Sequence, residues 1–462
     1  MKKKLTIICF AISISAITNA QYNKEWFSIY VKPGALLQPK VVKMLTAGDH
    51  LYMLANIQGK AATDEDIALV KFDAFGKIVW EKIYGFPDNF KDEAIDMEID
   101  EMGNIYVAAA SAPAKLKTAT DFCTIKYSRD GAELWVQRWG TSGHGEVPCG
   151  IEVRNGMVFV SGKSVHTASL TTAEDYHSKI YDANTGKEVW SHSWNGPGGD
   201  WRNYTSDMTL DRGNNLVVVG QSEHPSYDYG IIRYRWDTIP PQKPTDSMRI
   251  ALVFDWERWH NGPSKQIDEA QFVATNLYGD IYVTGNAYSK EGRQDIVTIK
   301  YDKKGTQKWV RTMNGTANSR DEPIGIGLDS KGNVIVTGYL SNVKTKEDYC
   351  IIKYNPEGDT LWTTAWREMV QGKGVPAAMA IDREDHIFVA GAGPIIGEPY
   401  ARRLDPDGKI VWETIIKSPD GKPMPGGLHK MCIDEKGNLY FSGLYINQQG
   451  MMNVFVTKYS KN

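Results

Sequence analysis

A tryptophan that returns at a nearly constant interval constrains this chain more than any other feature. It falls at positions 26, 80, 135, 190, 256, 309, 362 and 412, in steps of 54, 55, 55, 66, 53, 53 and 50 residues. A repeat of this length marks a supersecondary unit that buries its apolar faces only against its neighbours. The surrounding residues repeat as well: DIALVKFDAFGKIVWEKIYG (66–85), DFCTIKYSRDGAELWVQRWG (121–140), DIVTIKYDKKGTQKWVRTMNG (295–315) and DYCIIKYNPEGDTLWTTAWRE (348–368). Between them recur segments such as DEAIDMEIDEMGNIYVAAAS (92–111) and DEPIGIGLDSKGNVIVTGYLS (321–341).

Each unit holds four short runs rich in Val, Ile, Tyr, Phe and Trp. One pair is joined by a D-x-x-G-N turn (Asp100 to Asn104, Asp329 to Asn333), the other by a Gly-containing turn (Asp302 to Gly305, Asp405 to Gly408). Gly and Asn supply the positive φ that tight hairpins need. Four antiparallel strands repeated about an axis predict an all-β fold, a β-propeller of four-stranded blades. The inner hairpin starts eight times, near Val42, Glu93, Val147, Ser206, Glu269, Glu322, Val375 and His429. The last unit ends at VFVTKYSKN (454–462) without a Trp strand, whereas EWFSIY (25–30) precedes the first unit and reads like WEKIY (80–84). An eight-bladed ring is therefore expected, with the N-terminal strand, 24–31, completing blade 8 and removing two exposed sheet edges.

Residues 1–20 read as a signal peptide. Lys2, Lys3 and Lys4 precede the mostly apolar run Leu5 to Ile17, and Thr18-Asn19-Ala20 offers a cleavage site before Gln21. The run is too short to span a bilayer, and no later stretch is long enough. The expectation is an exported single propeller domain, 21–462, periplasmic, secreted or at the cell surface, with no transmembrane segment and monomeric. Removing the three lysines takes the formal charge from −3 to −6, and the absence of a basic tract argues against nucleic acid. Cys123, Cys149, Cys350 and Cys432 lack CxxC spacing. Cys123 and Cys350 share one slot of two blades four apart, as small buried hydrophobes would.

The pattern D-x-x-x-I-K-Y-D-x-x-G-x-x-x-W, followed by D-E-A and I-D-x-x-G-N-x-Y-V-x-G, resembles the bacterial SBBP β-propeller repeat family. That resemblance covers nearly the whole mature chain and implies an exported propeller without implying an activity. A narrower likeness is YDANTGKEVW (181–190), similar to the tryptophan-docking motif of eight-bladed quinoprotein dehydrogenases. Only blade 3 carries that form, and no quinone or calcium site accompanies it.

What recurs in every blade is read as scaffold. The third-strand basic series Lys71, Lys126, Arg233, Lys300, Lys353, Arg403 and Lys458 is expected to make a structural contact across blades, and the Trp series to pack between them. Asp92, Asp268 and Asp321 begin innermost strands and are read as caps or as partners of that basic series. The alternative is an acidic channel mouth able to hold a cation such as Ca2+; no other cofactor is expected. The longer, more varied connections lie on the face opposite the short turns, where function usually sits. There NGPGGDWRNYTSD (195–207) brings Asp200, Trp201, Arg202 and Tyr204 into one loop, with His144, His166, His224 and Tyr227 in neighbouring loops. Aromatic, cationic and carboxylate groups together suit a sugar or uronic acid.

Two functions follow. The first is a binding or scaffolding module for a glycan or an extracytoplasmic protein, favoured by the missing HExxH, GxSxG, Walker and CxxC signatures. The second is a carbohydrate-active enzyme of polysaccharide-lyase or glycoside-processing type, with His144, His224, Tyr204 and Arg202 as catalytic candidates. Quinoprotein-like redox activity ranks last. Blade 4 also carries the insertion DTIPPQKPTDSMRI (237–250), read as an extended excursion on the short-turn face.

Overall fold

The computed structural model describes residues 22–461 apart from 32–38, 60–64, 86–90, 113–118, 142–144, 167–172, 197–201, 224–225, 240–248, 367–375, 393–397, 422–423, 425–426, 448–449 and residues 265, 318 and 345. Every element is a β-strand, and the strands form eight four-stranded antiparallel sheets. Blade 1 is typical: Lys40–Ala47, His50–Gln58, Glu65–Phe72 and Ile78–Tyr84, paired in chain order from the axis outward. Blades 2 to 7 follow at 92–139, 147–194, 203–260, 269–313, 322–366 and 376–415. Blade 8 consists of Leu428–Ile433, Leu439–Ile446 and Met452–Lys461, completed on its outer edge by Tyr22–Tyr30. Innermost strands touch their neighbours from blade to blade until the eighth meets the first, which closes the ring.

Burial changes with distance from the axis, and composition follows. Second and third strands are buried on both faces by flanking blades, so they read as continuous apolar runs such as Leu51 to Ala55. Outer strands alternate between half-buried and exposed residues, as in Ile78–Tyr84. Each innermost strand breaks register once, for example between Thr205 and Asp207 or Ala270 and Phe272. A bulge bends the strand and tightens its twist. The second-strand Gly285 faces that bulge, where any side chain would collide with the Glu269 carbonyl.

The Trp series and the basic series act together at the blade interfaces. In blade 5, Trp309 Nε1 and Lys300 Nζ both donate to the carbonyl of Pro356 in the outer turn of blade 6, at 3.1 and 2.9 Å. Gly358 of that turn sits at φ +88° with Trp309 against its Cα; a Cβ would lie 2.7 Å from the indole. The arrangement recurs as Trp26 on Gly76, Trp80 on Gly131, Trp135 on Gly186, Trp256 on Gly305 and Trp362 on Gly408. So the indole-on-turn packing does not depend on the T-G-K-x-x-W form of blade 3.

Two Trp residues depart from it. Trp412 of blade 7 faces the seam, where blade 8 has chain ends in place of an outer turn, and packs on Tyr22 with ring centroids 5.0 Å apart. Trp190 of blade 3 faces blade 4, whose outer hairpin is the long pair Tyr227–Ile239 and Arg249–His260. It packs edge-on to Tyr234 at 5.2 Å instead. The 237–250 insertion is thus partly an extension of this hairpin, with Asp237 paired to Ala251 and Ile239 to Arg249. The four cysteines of the described chain are free, and Cys123 and Cys350 are buried.

Candidate functional site

Several carboxylates that could have marked a site belong to the scaffold. Asp268 accepts the backbone N–H of Gly262 and, at 2.7 Å, of Tyr288. Asp321 accepts those of Gly315 and Ser341, at 2.7 and 2.6 Å. Asp92 accepts the Ser111 hydroxyl, with the Arg138 guanidinium 4.0 Å away. Each cap ties an inner strand to the connection before it or the strand beside it, in blades 2, 5 and 6 respectively for Asp92, Asp268 and Asp321, and the three are not brought together. Burial lifts Asp268 and Asp321 to about 6. Partners of the basic series lie instead in the inner turns: Lys353 with Asp329 at 2.8 Å, Lys300 with Asp280 at 2.9 Å, Arg233 with Asp211 at 2.8 Å. Breaking the Lys353–Asp329 pair, which is almost fully buried, would cost about 3–5 kcal/mol.

Among the described residues, one group of acids and histidine has ligand atoms within 4.8 Å of one another: Asp382, Glu384 and His386 in the inner turn of blade 7. Its carboxylates are already engaged within the scaffold. Glu384 meets Lys461 at 2.8 Å and Arg403 at 3.6 Å, while Asp382 accepts the backbone N–H groups of Glu384 and His386, lies 3.2 Å from His386 Nδ1 and has Arg403 4.0 Å away. This is blade 7's version of the inner-turn ion pair.

The long-loop face over blades 3 and 4 is different in kind. Arg202 makes an isolated backbone bridge to Glu174, which lies at the start of the third strand of blade 3. Its N–H donates to Glu223 Oε2 at 3.1 Å, and its carbonyl accepts from the Glu223 N–H at 3.1 Å. Asn203 Nδ2 donates to the Glu174 carbonyl at 3.0 Å, and Ser222 Oγ donates to Asn203 Oδ1 at 2.7 Å. These bonds stitch the start of blade 4 to blade 3 and fix a small polar surface. On it the Tyr204 and Tyr227 rings lie 6.0 Å apart at 42°. Lys163 Nζ stands 5.2 Å from the centre of the Tyr204 ring and pairs with Glu174 at 2.8 Å. A cation at that distance over a ring is attracted to its π face.

Protonation follows from these contacts. Burial and a hydrogen bond to Glu174 push the Tyr204 hydroxyl well above the usual phenol range. Arg202, fully exposed, hydrogen-bonds the Tyr227 hydroxyl, which raises its guanidinium further. Tyr204 is therefore held as a hydrogen-bond donor, with two cations and a second ring beside it. The surface thus gathers two cations, two phenols and the carboxylates of Glu174 and Glu223.

Of the residues singled out from sequence, Arg202, Tyr204 and Tyr227 come together here. Asp200, Trp201, His144 and His224 lie outside the described residues. His166 closes the second strand of blade 3, opposite Ala173, and its side chain also lies outside them. Lys163, Glu174 and Glu223 escaped the sequence reading because they sit in strands. Lys163 still left a trace: it follows the second-strand glycine directly, where the other blades carry uncharged residues such as Asn56, Gln221, Asn286 and Leu444.

No family model matches the chain. An uncharacterized WD repeat-containing protein of Acanthamoeba polyphaga mimivirus is 22% identical over 382 residues, covering 71% of this chain and 26% of its own length. The chain thus spans about a quarter of that relative. Similar solved structures include a protein of unknown function from Dyadobacter fermentans, with a TM-score of 0.41 and 10% identity over 96% of this chain and 100% of that one. The β-propeller domain of the Trilobed protease from Pyrococcus furiosus has a TM-score of 0.43 and 10% identity, covering 82% and 96%. The polysaccharide lyase Uly1 has a TM-score of 0.43 and 12% identity, covering 94% and 92%. Among the described residues no helix is long and apolar enough to cross a membrane.

Proposed function

We propose that this propeller is an exported binding module whose long-loop face, over blades 3 and 4, takes an acidic glycan. One observation carries the reading. Lys163, Arg202, Tyr204 and Tyr227 converge around Glu174 where two blades are stitched together. The tilted tyrosine pair offers ring faces to a pyranose, and the two cations offer charge-assisted bonds to a carboxylate. The hydrogen bond from Tyr204 to Glu174 favours binding over elimination chemistry. A lyase needs a base to remove the proton beside the uronate, and this phenol holds its own proton too tightly. The lysine-led apolar segment before Gln21 and the SBBP-like repeat support export.

The test is to incubate the protein with a panel of acidic polysaccharides, following binding and the absorbance of unsaturated products together. Binding without product, weakened about tenfold or more in Arg202→Ala and Tyr204→Phe, is the expected result. Product that disappears in His144→Ala, His224→Ala or Tyr204→Phe would replace this reading with the lyase. If no polysaccharide binds, the glycan reading fails and a protein ligand takes its place.

A further inference from the structure

The opposite, short-turn face carries a second cleft that shares no residue with the long-loop surface. It has a volume of about 640 Å3 and runs across the inner turns of blades 5, 6 and 7, within the size range of small-molecule sites. Its rim breaks the repeat. The inner turn of blade 5 reads Asn276-Leu277-Tyr278-Gly279-Asp280, whereas the same two turn positions hold Ser330-Lys331 in blade 6 and Glu435-Lys436 in blade 8. Leu277 is 69% and Tyr278 82% exposed. Solvation disfavours a leucine and a tyrosine side by side at a turn tip; blade 2 carries one apolar residue there, Met102, but no other inner turn of this form carries two, and nothing in the hairpin geometry requires them.

The cleft is lined by acids and cations together, and its inner-turn acids are engaged within the scaffold: Asp280 with Lys300 at 2.9 Å, Asp329 with Lys353 at 2.8 Å, Asp382 with the backbone N–H groups of Glu384 and His386 and with Arg403 4.0 Å away, and Asp385 with the Ser330 N–H and hydroxyl at 2.7 and 2.6 Å. That last pair also ties the turns of blades 6 and 7 into one rigid wall. Among the described residues, Lys331 lines the cleft with no carboxylate partner and Arg383 pairs with one carboxylate, the highly exposed Glu435, at 3.4 Å. An exposed pair of that kind contributes little, so both cations are open to a ligand. Glu357, from the outer turn of blade 6, adds one acceptor.

We infer that this cleft is a second, independent carbohydrate site for an acidic sugar. The pyranose face lies on Tyr278, the carboxylate is held by Lys331 and Arg383, and ring hydroxyls donate to Glu357. An acidic peptide would satisfy the cations but has less use for an exposed aromatic ring beside a hydroxyl acceptor. The cleft shares no residue with the long-loop surface, so this inference does not depend on that site; with both, one ring would bridge two glycan chains.

Calorimetric titration of the protein with tri-galacturonate, neutral tri-galactose and tri-aspartate tests it. Tri-galacturonate should bind, and Tyr278→Ala and Lys331→Ala/Arg383→Ala should each abolish one class of sites or weaken it at least tenfold. Arg202→Ala should leave that class unchanged. All of these positions are exposed, and circular dichroism should show the parental fold in each variant. Unchanged titrations in both Tyr278→Ala and Lys331→Ala/Arg383→Ala would overturn the site, even if Arg202→Ala abolished binding elsewhere. Equal affinity for tri-galactose would remove the role of the cations. Equal affinity for tri-aspartate, lost in the same variants, would replace the sugar by an acidic peptide.

Discussion

The interface between blades 5 and 6 and the one between blades 3 and 4 solve the same packing problem with different chemistry. At the first, Trp309 and Lys300 share one carbonyl of the next blade's outer turn, and Gly358 lets the indole lie flat against backbone. At the second, blade 4 has a long arm where that turn would be. Trp190 packs on the edge of Tyr234 and beside the His192 ring, and His192 bonds the Tyr234 hydroxyl at 3.0 Å. The basic residue opposite the Trp is missing too: Ile180 pairs with Trp190 where Lys300 pairs with Trp309. Blade 3's buried cation is Lys179, one residue earlier, which faces the other way. It sits 4.6 Å from the centre of the Trp139 ring, itself stacked on His177 at 3.8 Å, and pairs with Glu188 at 2.7 Å. An outer turn thus sets the chemistry of the interface before it. Where that turn gives way to a long arm, ring-edge contact replaces indole-on-turn packing.

The comparison breaks most visibly at the seam. Removing residues 21–31 takes away the outer strand of blade 8, the docking of Trp26 on blade 1 and the cover that Tyr22 gives Trp412. The expected effect is a melting midpoint lower by on the order of 10 °C or more, with loss of cooperativity. A truncated chain that melts with the parent would show that the ring does not need this closure.

Next in size is the contrast between tryptophans. Trp309→Ala should cost about 3–5 kcal/mol in urea denaturation, as large aromatic truncations in cores do. Trp190→Ala should cost roughly half as much, because it removes no docked turn and leaves no carbonyl of the next blade unpaired. Equal losses would mean that Tyr234 replaces the turn fully.

The smallest effect is one of pH, and the two regions should show opposite signs. Burial, with Lys179 nearby, lowers His177 from 6.5 to about 3. Protons then bind the unfolded chain first, so this contribution to stability is complete above about 6.5 and is lost as pH falls towards 3. Asp321 is raised from 3.8 to about 6, so its ionisation opposes folding, and stability is gained as pH falls from 6 to 4. Melting between pH 7 and 4.5 should therefore drop less steeply in His177→Gln and more steeply in Asp321→Asn. Parallel slopes for both variants and the parent would refute these assignments.

Legibility divided along the same line as the packing. Arg202, Tyr204 and Tyr227 could be picked out because their loops depart from a repeat that is otherwise regular. Lys163 and Glu174 could not, because strand residues in a repeat are read as core, and only pairing across blades 3 and 4 reveals that these two surface beside Tyr204. The cleft under Tyr278 was hidden for a similar reason: its walls come from three turns about 53 residues apart, each short and ordinary by itself.

Sequence alone determined the number of blades, the strand order within each and the place of the seam. Those follow from local periodicity and from which unit lacks a strand, both of which survive in one dimension. Tertiary structure decided what each recurring residue touches. Trp309 finds Gly358 and Lys300 finds the same turn only once neighbouring blades are wrapped to a common radius. Contacts between blades depend on the curvature of the ring, which no single repeat encodes.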